Sequence, residues 1–142
     1  METGSLNDRI IIQKIAYLLS RKGIDTGYSD FSWYLHGVFS WDLWHDIIRS
    51  WNVNPAAIPS QRMLALSQTR VEFEQAGLAS YFHDANGLEM ITTILRCAER
   101  QEALREDNSE LTARVMALKS KFGEAQVRTA IGRVRKVNWN FR

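Results

Sequence analysis

The sequence predicts a mainly α domain with a small β element, on three observations. Apolar residues recur at helical spacing in several separate stretches. One short stretch, Phe31 to His36, alternates instead, with Phe31, Trp33 and Leu35 on one side and Ser32, Tyr34 and His36 on the other, as a half-buried strand does. Glycine and proline punctuation separates the stretches. At 142 residues the chain fits a single domain, 1–142, large enough for a real core.

The first helix is predicted over residues 8–22, with Asn7 as N-cap and Gly23 as the stop. Ile11, Ile15, Leu18 and Leu19 share one face, and Ile12 and Tyr17 widen it. After the strand, Gly37 offers a tight turn and Ser40 caps a helix in which Leu43, Ile47 and Trp51 recur every four residues, with Asp42 in its first turn. A cap at Ser40 is worth about 1 kcal/mol. Pro55 and Pro59 break the chain. Gln61 to Leu66 reads as helical, and Val71 to Glu74 as either a short strand or part of a longer helix. Asn86-Gly87 signals a turn. Leu88, Ile91, Ile94, Leu95 and Ala98 then trace an amphipathic helix to about Arg105. Ser109 caps the next helix, with Leu111, Val115 and Leu118 inward. Gly123 ends it, and Glu124 opens a last helix with Val127, Ala130, Ile131 and Val134 inward. Residues 137–142 read as a flexible tail. Short helices, a small hairpin and a basic helix near the end suit a winged-helix-like arrangement.

No apolar run approaches the roughly 18 residues that a membrane span needs, because Gln13 and Lys14 interrupt the best candidate, Ile10 to Leu19. Early Glu2 and Asp8 do not suit a signal peptide. One cysteine, Cys97, fits a reducing compartment. Together these predict a cytoplasmic protein without a membrane partner.

The chemistry-bearing residues form no enzyme signature. His36, His45 and His83 lack metal-ligand spacing, and neither a phosphate-loop nor a nucleophile-elbow pattern occurs. Cys97 follows the apolar face of a helix and reads as a small buried hydrophobe. The sequence therefore predicts no catalytic residue, metal or cofactor, and a non-enzymatic protein. Four of the five tryptophans fall within residues 33–51. Trp41 and Trp44 share one short helix with Leu43, Ile47 and Trp51, and not all of these can point inward, so at least one of the two tryptophans is expected at the surface, where tryptophan is enriched in binding hot spots. Trp41, Trp44, Tyr34 and His36 are the candidate partner-binding residues.

Charge is unevenly placed. Residues 1–113 hold ten Lys/Arg against fifteen Asp/Glu, whereas residues 114–142 hold eight Lys/Arg against Glu124 alone. Lys119, Lys121, Arg128, Arg133, Arg135, Lys136 and Arg142 are the candidate nucleic-acid contacts, with Arg128, Arg135 and Arg142 spaced by seven along one stripe. Trp139 and Phe141 offer stacking surfaces. The competing reading makes these charges a solvated or protein-facing surface.

Gln13-Lys14-x-x-Tyr17-Leu18-Leu19, followed by Tyr28, Phe31, Tyr34, Gly37, Phe39-Ser40 and Leu43, resembles the YwgA-type proteins and the Panacea (SocA-like) domains. A similar domain forms the carboxy-terminal part of DNA ADP-ribosyl glycohydrolase antitoxins. The resemblance covers residues 10–46, with a weaker match over 88–136 through Lys119-Ser120-Lys121-Phe122. Val38 and Phe39 stand where the family pattern has proline and tyrosine. The resemblance implies a protein-binding module of antitoxin-like, adaptor or phage/host-regulatory kind, whose partner is a toxin, a protease-adaptor target or a phage or host factor. A nucleic-acid-binding regulator is the alternative.

Overall fold

The computed structural model describes residues 6–24, 32–34, 37–39, 60–82, 84–105 and 108–141. Among these residues the chain is mainly α, with five α-helices: α1 (Leu6–Arg21), α2 (Ser60–Gln75), α3 (Ala85–Ala98), α4 (Ser109–Leu118) and α5 (Glu124–Val134). Two three-residue segments, β1 (Ser32–Tyr34) and β2 (Gly37–Phe39), pair antiparallel with Trp33 opposite Val38. Gly37 opens β2 opposite Tyr34. The expected Ser40 cap and the helix after it lie outside the described residues.

The core is organised around α3. Every residue from Gly87 to Leu95 is buried, as are Cys97 and Ala98, so the helix is enclosed rather than amphipathic as its apolar stripe suggested. Helices α1, α4 and α5 and strand β2 all pack on it. Two threonines tolerate this burial because their hydroxyls bond back along the helix. Thr92 Oγ1 donates to Leu88 O at 2.9 Å, and Thr93 Oγ1 to Glu89 O at 2.6 Å. Asn86-Gly87 is not a turn but the first turn of α3, because Asp84 caps it by accepting from the Asn86 amide at 3.0 Å. Gly87 is required there by close approach: a Cβ would lie 2.7 Å from the Tyr81 ring.

Helix α3 stops at Ala98 instead of running to Arg105. Glu99 adopts a left-handed conformation, φ 63°, and a 3₁₀ turn, Gln101–Leu104, follows. Asn108, not Ser109, caps α4, its side chain accepting from the Leu111 amide at 2.8 Å. Leu111 and Val115 are buried as expected, but Leu118 is 51% exposed. Helix α5 follows expectation, with Val127, Ala130, Ile131 and Val134 buried. In α1, which begins at Leu6 and so contains the expected cap residue Asn7, Gly23 supplies the positive φ of the stop. The buried face of α1 carries Ile11, Gln13, Lys14, Tyr17 and Leu18, while Ile12, Ile15 and Leu19 are only half-buried. Of the two readings of residues 71–74, the longer helix is observed.

The segment expected to be a free tail is docked through residue 141. Val137 is fully buried, and Trp139 packs at 5.5 Å on Phe73 while its indole N–H donates to Val134 O at 2.9 Å. The Asn140 amide donates to Arg21 O at 2.6 Å, the Asn138 amide to Glu72, and the Trp139 amide to Gln101. Lys22 completes the clasp by donating to Asn138 O and pairing with Glu72. This strap joins the ends of α1 and α2 to the 3₁₀ turn after α3.

Two stability outcomes follow. Trp139→Ala should cost about 3 kcal/mol or more in urea denaturation, because it removes a buried aromatic and its hydrogen bond together. Glu99→Gly should raise stability by about 0.5 kcal/mol in the same experiment, since glycine tolerates the left-handed conformation that glutamate holds at a cost.

Candidate functional site

The buried Lys14 of α1 lies in a region of concentrated charge. Glu89, on α3 and 5% exposed, accepts from Lys119 at 2.8 Å through one carboxylate oxygen and from Lys121 at 2.6 Å through the other. Burial works to raise the Glu89 pKa, but the two lysine hydrogen bonds outweigh it and hold the carboxyl below its usual value. Lys14 is only 1% exposed. Burial pushes its ammonium down to about 8, opposed by attraction to Glu89 and assisted by repulsion from Lys119 and Lys121. Burial likewise raises the Cys97 thiol, as suits a core residue rather than a thiolate.

The predicted basic face divides into different environments. Lys119 and Lys121 turn toward Glu89. Arg128 pairs with Glu124 one turn earlier at 3.1 Å. Arg133 stacks over the Tyr81 ring, 5.4 Å from its centroid, and donates to Gly77 O. Arg135 and Lys136 are exposed side by side at the end of α5. Trp139, one of the two proposed stacking surfaces, is buried. Arg142 lies outside the described residues, as do His36, Trp41 and Trp44. Tyr34 is placed in β1 by its backbone.

Sequence reasoning missed a groove between the start of α3 and the first turns of α5. Its cavity is about 580 Å³. The apolar lining is Tyr81, Met90, Phe122 and Ala125, with the Met90 and Phe122 side chains largely buried. Asp84, Asn86, Lys121, Gln126 and Thr129 supply polar groups and are exposed. Lys121 links the groove to the buried carboxylate, because its ammonium also donates to Asn86 Oδ1 at 2.9 Å. The residues come from two separate stretches of chain, 81–90 and 121–129, so no local spacing announces them. Among the described residues, no group of three His, Cys, Asp or Glu is placed to hold a metal, and no helix is long and apolar enough to cross a membrane. No family model, curated protein or solved structure matches the chain.

The shifted groups give pH signatures of the same sign in two separate windows. Glu89 is depressed, so its contribution is present above its unfolded value of 4.5 and is lost as pH falls below it. The stability gap between the wild type and Glu89→Gln should therefore narrow in urea melts taken below pH 4.5. Lys14 is also depressed, so between about 8 and 10.5 the unfolded chain binds more protons and stability rises with pH. Lys14→Met should flatten that rise.

Proposed function

We propose that this chain is a non-enzymatic protein-binding module of the cytoplasm, related to the YwgA-type and Panacea (SocA-like) domains and serving an antitoxin-like, adaptor or phage/host-regulatory role. The groove between α3 and α5 carries the reading. Its apolar floor and polar rim are what a site for a partner's side chains needs, and its volume falls in the range of ligand-binding clefts. The distribution of the basic residues adds support, since Lys119, Lys121, Arg128 and Arg133 have partners within the chain. A winged-helix-like scaffold, with the β1–β2 ribbon as its wing, is the fold that accompanies this proposal.

A second reading, nucleic-acid binding, is favoured by the adjacent exposed Arg135 and Lys136 beside Arg128. Salt separates the two. Phosphate contacts weaken steeply as salt rises, because each releases counterions. Affinity capture from the native host should recover a discrete protein partner that survives a wash of about 0.5 M salt, well into the range where phosphate contacts fade. Recovery of the chain alone, or with nucleic acid only, would reject the protein-binding reading. In the second reading, Arg128→Ala with Arg135→Ala should lower the salt slope of DNA or RNA retention by about one per lost phosphate contact.

A further inference from the structure

The geometry points to the groove between α3 and α5 as a receptor for the free carboxyl terminus of a partner polypeptide whose last residue is apolar. The inference rests on the protein-binding reading and assigns its site.

The rim of the groove is rich in hydrogen-bond donors, and the reason lies in how its amides are held. Asn86 Oδ1 accepts from Lys121, which leaves the Asn86 amide to present N–H groups. Gln126 Oε1 accepts from the Gly123 amide at 3.0 Å as part of the α5 cap, so its NH₂ end is likewise left to donate. Lys121 has three N–H groups, of which two are directed to Asn86 and Glu89. Thr129 adds a hydroxyl to the same lining. The one carboxylate among the lining residues, Asp84, accepts from the Asn86 backbone N–H at the α3 cap through one of its oxygens.

An occupant must therefore bring acceptors, and beside an ammonium it is best anionic. Phe122, with the Lys121 ammonium 5.3 Å from its ring centroid, and Met90 line the same groove. A ligand with an anionic, acceptor-only head and an apolar body matches both halves. A chain terminus provides this combination within a single residue, its α-carboxylate next to its own side chain. An internal acidic residue instead holds its charge beyond a methylene stem and brings no apolar side chain of its own.

The test uses two pools of acetylated tetrapeptides ending in Leu, Ile, Phe or Met, one with free carboxyl termini and one with terminal amides. Binding is read from the Asn86 and Gln126 side-chain NH₂ resonances of the full chain. The free acids should bind at least about tenfold more tightly than the amides, as loss of a charge-assisted hydrogen bond implies. Gln126→Glu is the decisive variant. Glutamate can still accept from the Gly123 amide and suits a helix N-terminus, so the cap survives while a donor at the rim becomes an anion. It should weaken the free acids about tenfold and leave the amides unchanged. Lys121→Met should also abolish the preference for the acid. Equal binding of acids and amides, no binding of either pool, or an unaltered preference in Gln126→Glu would overturn the assignment. A protein partner captured with equal yield by wild type and Gln126→Glu would leave the protein-binding reading standing and remove this site from it. Failure to capture any partner counts against the broader reading instead.

Discussion

Burying a helix on every face from Gly87 to Leu95 leaves the polar residues of that stretch no route to water, and α3 meets that constraint at Glu89. A carboxylate at 5% exposure is costly unless it is paired and hydrogen-bonded. Both its oxygens are engaged, one by Lys119 and one by Lys121, so the residues between α4 and α5 are fixed by the charge requirement of a third helix. The pairing is a condition for α3 to be central, and through α3 for α1, α4 and α5 to share one core. It also holds Phe122 where it is largely buried beside Met90.

The electrostatic asymmetry of the sequence looks different once folded. A surplus of lysine and arginine after residue 113 reads along the chain as a basic surface. In three dimensions part of that surplus is drawn inward to one buried carboxylate, part lies over an aromatic ring, and part is paired within its own helix. Lysine suits the first task, because its flexible stem lets Lys119 and Lys121 reach the same group from opposite sides of Ser120. Arginine suits the second, since its planar guanidinium can cover the Tyr81 face while donating to a backbone carbonyl.

How much was legible in the sequence followed from how local each signal was. The start and inward face of helix α5 were readable, since Glu124 in its first turn and four inward residues at helical spacing are local facts, whereas Gly123, expected to end α4, caps α5 instead and α4 stops at Leu118. The stop of α1 at Gly23 was readable for the same reason. Gln13 and Lys14 show where periodicity fails, because hydropathy assigns polar residues outward unless their partners are known, and Glu89 lies some 75 residues away. The Asn86-Gly87 pair misled because the same two residues serve a turn or a helix start, and only Asp84 before them and Tyr81 against them decide. The groove was invisible for a stronger reason: its donors are defined by which amide oxygens are already used, and that is a property of the folded chain.

The strap formed by residues 137–141 ties together points more than a hundred residues apart, at Arg21 and Lys22 on one side and Asn138 and Asn140 on the other. Closing so long a loop is entropically unfavourable until most of the intervening chain is in place. The strap is therefore a shared latch in the finished molecule. The last turn of α1 cannot fray on its own while Asn140 holds its carbonyl and Lys22 holds Asn138. Opening at one end is opening at the other, so the two sequence-distant ends behave as one cooperative unit in which local fluctuation is suppressed.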